Sequence, residues 1–434
     1  MKFSDRVDEL KNLQEIKNAS LKSSKMSIIY GRRRVGKTTL VKEAFKDRVY
    51  LFVSKKNEAI LCEEFIDIVS NSLDIKIFGE FKSFAKLFEY MIELSTNRAF
   101  TLIIDEFQEF LYINSSIFSD IQNIWDEYKD RSKLNLIFCG SLYSLMKKIF
   151  ENKKEPLFNR ANNKILLKPF NIITIKEILK ENNPSYNNFD LLSFYIFSGG
   201  VAKYIESFYE KGTFNYENML TIIFSQNSLF IEEGKNILIE EFGKEYTTYF
   251  SILSLIASSK TSRSGIESIL EKNIGGYLDR LENEYNIIKK IKPIFAKEGS
   301  RNVKYEIIDN FLAFWFRFIF KYKSAIEIEN FDFVKKILKR DFNTFAGKFL
   351  EKYFIEKLIL SKQYSLIGSY WERGNKNEID IVAINELEKI ALIAEVKINK
   401  DKINLSVLKH KAQKLEQKLK NYKITYKGFS LEDM

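Results

Sequence analysis

Cysteine, proline and histidine are scarce in this sequence, and each scarcity excludes something. Two cysteines, Cys62 and Cys139, sit among 434 residues; neither a disulfide framework nor a cysteine metal motif is expected, which points to a reducing cytoplasm. With four prolines and no Pro/Gly/Ser-rich stretch, the domains are expected to join through short connections or shared helices. The one histidine, His410, reads as a surface residue and speaks against a histidine-based nuclease. No run of ~18 apolar residues occurs, so no membrane span is expected. The aromatic stretch Phe311–Phe320 is interrupted by Arg317 and reads as a buried helix at a domain junction. Residues 1–15 are charged and carry no apolar signal region.

What is present is enough for several cores. At 45% apolar and 29% charged residues the chain is expected to be globular, and its length implies two or three domains. The net charge of +11 suits nucleic acid as a partner, or reflects a lysine-rich composition throughout.

The first ~170 residues alternate short apolar runs with amphipathic segments, the pattern of a parallel α/β sheet. Expected strands are Ser27–Tyr30, Val49–Val53, Phe100–Ile104, Asn135–Cys139 and Lys164–Lys168, with helical periods such as Thr38–Phe45 and Phe81–Leu94 between them. After Pro169 the strand signal stops, and Thr174–Glu177 has the form of a capping box. Helices then run to about residue 235, broken at Ser198-Gly199-Gly200. Two further helices, a third at Gly276–Ile288, and strands Pro293–Lys297 and Lys304–Ile308 have the order of a winged helix. The last region is expected to hold a helix Phe345–Leu360, strands Ser365–Tyr370, Glu378–Ile384 and Ala391–Ile398, and a lysine-rich helix Leu405–Tyr422.

Gly31-Arg32-Arg33-Arg34-Val35-Gly36-Lys37-Thr38, followed by Thr39, matches the P-loop pattern between a strand and a helix. Its glycines let backbone N–H groups turn inward on phosphate oxygens, and the helix N-terminus adds its positive end. Lys37 is expected at the β- and γ-phosphates and Thr38 on Mg²⁺. The strand Phe100–Ile104 delivers Asp105, expected to hold the metal through water, and Glu106, expected to polarise the attacking water. Asn135–Cys139 reads as the sensor strand between the two motif strands. Ser141 at its end either meets the γ-phosphate or lytic water, or is a small turn residue. Arg160 is either a charge stabiliser of the transition state or a surface arginine.

The segment Phe3-Ser-Asp-Arg6-Val-Asp-Glu9-Leu10 resembles the N-terminal motif of AAA+-like and signal-transducing ATPases, which implies Arg6 near the adenine. Together with the P-loop, Asp-Glu-Phe-Gln, Pro-Leu-Phe-Asn-Arg160 and Gly-Gly-Val-Ala-Lys-Tyr, the chain resembles the archaeal-type ATPase family over nearly its whole length. Asn159 and Ala202 stand where that family usually has Gly and Pro.

In the last region, Glu378–Ile384 and Ala391–Lys397 flank a turn at 385–390. An axis midway between residues 387 and 388 sets Asp380 opposite Glu395, ~5 Å apart. Two carboxylates so close demand a cation or a raised pKa. Lys397 shares the strand face of Glu395. Two readings stay open: a Mg²⁺ or Mn²⁺ site for phosphodiester hydrolysis, with Glu351 as a further metal ligand, or a salt-bridged hairpin. The pattern resembles the PD-(D/E)XK nuclease fold of restriction endonucleases. Ten lysines between Lys397 and Lys427 face only Asp401 and Glu416. A stripe of Leu405, Leu408, Ala412, Leu415 and Leu419 should be buried, leaving Lys411, Lys414 and Lys418 outside. The reading helix of the winged helix carries Arg280 but also Asp279, Glu282 and Glu284, which repel phosphate.

The expected architecture is an α/β P-loop NTPase core (1–170) with helices on both faces of a parallel sheet. A helical lid (171–240), a winged helix (241–325) and an α/β restriction-endonuclease-like domain (326–434) follow. The expected function is ATP binding and Mg²⁺-dependent hydrolysis linked to action on DNA, with homo-oligomerisation open. The rival readings are a nucleotide-gated DNA-binding regulator and a signalling scaffold with an inactive nuclease fold.

Overall fold

Short apolar runs, each closed by a turn or a charged residue, become the parallel strands of the first unit. The computed structural model describes residues 5–434, so Phe3 and Ser4 of the N-terminal motif lie outside the described residues. The chain divides into two units, with the boundary between Pro169 and Phe170. All three of the expected later domains fall within the second unit.

Among the described residues, the first unit holds α1 (Val7–Ser20), β1 (Lys25–Tyr30), α2 (Lys37–Ala44), β2 (Val49–Phe52), α3 (Glu58–Leu73), α4 (Phe84–Asn97) and β3 (Phe100–Asp105). It continues with α5 (Phe110–Ile113), α6 (Ile117–Tyr128), β4 (Leu134–Gly140), α7 (Tyr143–Glu151) and β5 (Asn163–Leu166). The strands pair in the order β2-β3-β4-β1-β5, all parallel. The sensor strand β4 therefore lies between β3 and β1, as expected. A parallel sheet is covered on both faces, which is why these strands read as unbroken apolar runs. Along β1, Met26, Ile28 and Tyr30 enter one core with Phe65, Phe84 and Phe107, while Ile29 enters a second core with Leu13, Leu40 and Phe45. Each fully buried Leu, Ile or Phe contributes roughly 1.5–3 kcal/mol, so the two cores fix the sheet that aims β1 and β3 at the phosphate loop. Both cysteines are buried and unpaired.

The second unit begins with α8 (Ile172–Asn182), α9 (Asn188–Ser198), α10 (Ala202–Glu210), α11 (Tyr216–Ile223) and α12 (Leu229–Phe242). The break expected at Ser198-Gly199-Gly200 separates α9 from α10. The capping box expected at Thr174 is not the cap. Asn171 takes that place, its side chain accepting from the N–H groups of Ile173 and Thr174, so Thr174 lies in the first turn of α8.

Next come α13 (Tyr246–Ala257), α14 (Arg263–Leu270), α15 (Gly275–Asp279, continued by a wider turn to Glu284), β6 (Ile288–Ile291) and β7 (Lys304–Ile307). The expected element order holds, but the first strand is Ile288–Ile291 and not Pro293–Lys297. Ile288 and Ile307 pair there, and the segment after β6 instead crosses to a later strand. The aromatic helix starts as α16 (Asn310–Phe314), runs on through Ile319 and is buried as expected. The short α17 (Lys323–Glu327) follows.

The remainder is α18 (Phe331–Leu360), β8 (Leu366–Tyr370), β9 (Ile379–Asn385), β10 (Ile390–Lys397), α19 (Leu405–Glu416) and β11 (Lys423–Ser430). The helix expected from Phe345 begins at Phe331, the lysine-rich helix ends at Glu416, and β11 was not foreseen. The sheet order is β11-β10-β9-β8, with β10 and β11 parallel and the other pairs antiparallel. Leu392, Ala394 and Val396 face the core that includes α18, and Ala391 and Ile393 face Leu408, Ala412, Leu415 and Leu419. Leu405, expected in that stripe, is exposed.

Candidate active site

The turn from β1 into α2 has the backbone its glycines predict. A Cβ on Gly31 would stand 2.4 Å from the Leu167 carbonyl oxygen, and Gly36 has φ +100°, which disfavours side chains. Val35 is buried, Arg32 and Arg34 are half-buried, and Arg33 and Thr39 are exposed. Arg6 is buried beneath the loop and donates to the carbonyls of Lys168 at 2.7 Å and Val35 at 3.5 Å, with Glu9 at 3.3 Å. It therefore ties the N-terminal motif to the phosphate loop.

Lys37 is buried and its ammonium donates to the carbonyls of Gly31 and Arg32 at 3.0 and 3.1 Å. Burial lowers its pKa, while Glu106 and Asp105 act against that shift. The Thr38 hydroxyl donates to Asp105 Oδ2 at 2.9 Å, and the Glu106 N–H donates to Oδ1 at 3.0 Å. Thus Lys37, Thr38, Asp105 and Glu106, drawn from two strand ends, meet as expected. Glu106 has φ +55°, a left-handed conformation that costs an L-residue about 1–3 kcal/mol and is found at functional sites. Ser141 donates to Glu106 Oε2 at 2.7 Å, and Gln108 Nε2 donates to the same oxygen. Ser141 is thus a partner of Glu106 and more than a turn residue.

Two placements were not foreseen in the sequence. Arg160 reaches Asp126 on α6, with Nε and Nη2 at 3.0 and 2.8 Å from Oδ2, and also donates to the Pro156 carbonyl. Against the burial that would raise it, Arg160 and Lys129 hold the Asp126 carboxyl below its usual range. This pair does not bring Arg160 to the phosphate loop. Tyr50 on β2 was missed altogether: its hydroxyl donates to Asp105 Oδ2 at 2.5 Å.

The family described as an ATPase domain predominantly from Archaea matches residues 3–208. An uncharacterized protein of Methanocaldococcus jannaschii is 30% identical over 414 residues, covering 91% of this chain and 87% of its own. The chain belongs to the archaeal-type ATPase family. A Walker-type ATPase of Pyrococcus abyssi shares the fold, with a TM-score of 0.54 at 19% identity over 72% of this chain and 96% of that one. The ORC2 protein of Aeropyrum pernix, in ADPNP and ADP complexes, gives a TM-score of 0.48 at 15% identity over 75% of this chain and 95% of that one. A second family, archaeal and bacterial proteins of unknown function, matches residues 315–415.

In that second region the ATPase carries its acidic hairpin. The register runs Ile390↔Asn385 through Ala394↔Ile381, so its next step sets Glu395 against Asp380 as expected. Lys397 Nζ lies 3.4 Å from Asp380 Oδ2 and 3.3 Å from Glu395 Oε1. Asp380 also accepts from the Val396 N–H at 2.7 Å, and Glu395 from the Asn404 N–H at 3.3 Å. Lys411 on α19 reaches Glu395 at 3.4 Å. Burial, with Glu395 adding to it, raises the Asp380 carboxyl, whereas Lys397 and Lys411 overcome burial to lower Glu395. Burial, then Asp380 and Glu378, push Glu351 well above the carboxylate range.

Among the described residues, no group of three or more His, Cys, Asp and Glu side chains is placed to hold a metal ion. The expected three-carboxylate arrangement of Asp380, Glu395 and Glu351 is therefore not formed. Lys397 stands between the first two.

Of the lysines expected to lie outside the apolar stripe of α19, Lys414 is 2.5 Å from Glu372. Arg280 of the expected reading helix is paired with Glu245 at 3.1 Å. The loop after β6 is docked on β8, through the Ile294 N–H to Ser369 at 2.8 Å and Trp371 Nε1 to Asn302 at 3.0 Å. No helix of the described residues is long and apolar enough to cross a membrane.

Proposed function

We propose that this chain hydrolyses ATP at the C-terminal ends of β1 and β3 in its first unit. The observation that carries the reading is the 2.9 Å contact between the Thr38 hydroxyl and the Asp105 carboxylate. Two oxygen donors of that kind, beside a buried lysine and an inward-turned loop, fit a magnesium–triphosphate. Thr38 and Asp105 would hold magnesium, which would supply positive charge against the phosphates. Lys37 exchanges its two carbonyl contacts for phosphate oxygens, which balance a buried ammonium better than neutral acceptors do. Glu106 is the general base. Ser141 and Gln108 fix one of its oxygens, leaving the other to accept the proton of the attacking water. Arg6 orders the loop from below.

The C-terminal sheet is proposed to be a nuclease-like domain that acts on DNA. Its support is the convergence of Asp380, Glu395 and Lys397 between α18 and α19, beside a strongly basic segment. The two carboxylates fit one divalent cation only if Lys397 withdraws to serve the attacked phosphate. The winged-helix order of α13–β7 remains part of this reading. Its arginine and its hairpin loop are engaged within the second unit, so DNA contact is assigned to the C-terminal sheet. The test is plasmid cleavage in Mg²⁺ or Mn²⁺, with and without ATP, comparing the wild type, Lys37→Ala and Asp380→Ala. Cleavage lost in Asp380→Ala supports the nuclease. Equal cleavage by wild type and Asp380→Ala, or none by either, refutes it and leaves a DNA-binding or scaffold role.

A further inference from the structure

We propose that Tyr50 is a positioning residue for magnesium at the ATPase site, acting through Asp105. This rests on the ATPase reading and adds to it a residue outside every motif of the sequence.

The argument begins with register. β2 and β3 are parallel, and Tyr50 pairs with Ile103, two residues before Asp105. Residues two apart on a strand share a face. Tyr50 therefore stands on the face of the sheet that carries Ile103 and Asp105, in the core shared with Leu40 and Val41 of α2. Lys42, one turn after Thr38 on that helix, lies 5.1 Å from the centre of the Tyr50 ring. The ring is thus slotted between α2 and β3, which fixes the direction of its hydroxyl.

That hydroxyl donates to Asp105 Oδ2 at 2.5 Å. The same oxygen accepts from Thr38 at 2.9 Å, and Oδ1 accepts from the Glu106 N–H at 3.0 Å. Of the two hydroxyls on Oδ2, that of Thr38 belongs to the metal's own ligand set. Tyr50 supplies the donor that serves orientation alone. Donors behind a metal-binding carboxylate set its rotamer, and their loss typically costs about 10- to 100-fold in metal affinity or activity.

Tyr50→Phe removes one oxygen and keeps the ring that fills the slot. Two readouts separate positioning from packing: affinity for an ATP analogue in EDTA, and the magnesium concentration that half-saturates nucleotide binding and turnover. The expected result is an unchanged affinity in EDTA with a half-saturating magnesium concentration raised about 10-fold or more. A half-saturation within about twofold of wild type overturns the proposal. Should Tyr50→Phe not fold, Tyr50→His carries the same test, because its shorter ring N–H does not reproduce the hydroxyl's reach. A shifted magnesium half-saturation supports the proposal, and an unshifted one overturns it. A wild-type protein without magnesium-dependent nucleotide affinity fails differently, by removing the ATPase reading itself.

Discussion

Glu106→Gln isolates the chemical step. Glu106 Oε2 accepts from Ser141 and Gln108, so the amide of the variant has a defined orientation. Its oxygen meets the same two donors and its NH₂ occupies the place of the free carboxylate oxygen. The side chain stays where it is, the loop of Gly31–Lys37 is untouched, and only the ability to accept a proton disappears. General-base catalysis contributes about 10²- to 10⁴-fold, or roughly 2.7–5.4 kcal/mol at about 1.36 kcal/mol per tenfold. The assay is steady-state phosphate release at saturating Mg²⁺–ATP, beside equilibrium binding of a slowly hydrolysed analogue. The expected outcome is a kcat reduced at least a hundredfold with analogue affinity unchanged within about threefold. A kcat within about threefold of wild type would refute the assignment of Glu106 as base.

Three further perturbations probe the scaffold and the loop. Gly31→Ala places a Cβ 2.4 Å from the Leu167 carbonyl oxygen, so nucleotide binding should be lost, and titration with a fluorescent nucleotide checks it. Gly234→Ala sets a Cβ 2.2 Å from the Trp315 ring, and overpacking of this kind costs about 1–3 kcal/mol in urea unfolding. Lys352→Met removes a part-buried ammonium that donates to Asn310 at 2.8 Å and lies 3.5 Å from Glu306; loss of about 3 kcal/mol is expected, and Glu306→Gln on that background should return part of it. Burial, helped by Lys289 and Lys348, lowers the Lys352 pKa from 10.5 to about 8. Between those pH values the unfolded chain binds more protons than the folded one, so this group makes the fold more stable as pH rises through that window. The dependence should be flatter in Lys352→Met, as read by unfolding curves from pH 7.5 to 10.5.

The phosphate site was legible because its chemistry is local. Gly31, Gly36, Lys37 and Thr38 lie in one turn, and the apolar strand that delivers Asp105 and Glu106 announces itself. The hairpin register was legible for a similar reason: the turn at 385–390 fixes every cross-strand pair up to Ala394↔Ile381. What was not legible depends on partners far away in sequence. Arg160 meets Asp126, 34 residues earlier, and no local pattern names that partner. Tyr50 carried a signal that went unread, a hydroxyl on a strand flanking the Asp105 strand, but choosing it needs the β2–β3 register.

Other misses arose where local signals compete. Thr174–Glu177 has the capping-box spacing, yet Asn171 lies three residues earlier with extended backbone and takes the free N–H groups first. The strand β11 alternates exposed and half-buried residues, so its lysines at 423 and 427 hid it within a basic run. The loop after β6 contains the apolar Ile294, which is buried against β8 in place of extending the hairpin.

The central claim is a magnesium–triphosphate gripped by Lys37, Thr38 and Asp105. Calorimetric titration of wild type and Lys37→Ala with a non-hydrolysable ATP analogue, in Mg²⁺ and in EDTA, tests it most directly. The account predicts binding that magnesium tightens in the wild type and that Lys37→Ala abolishes. Equal heats for the two proteins, or wild-type affinity indifferent to magnesium, would contradict it.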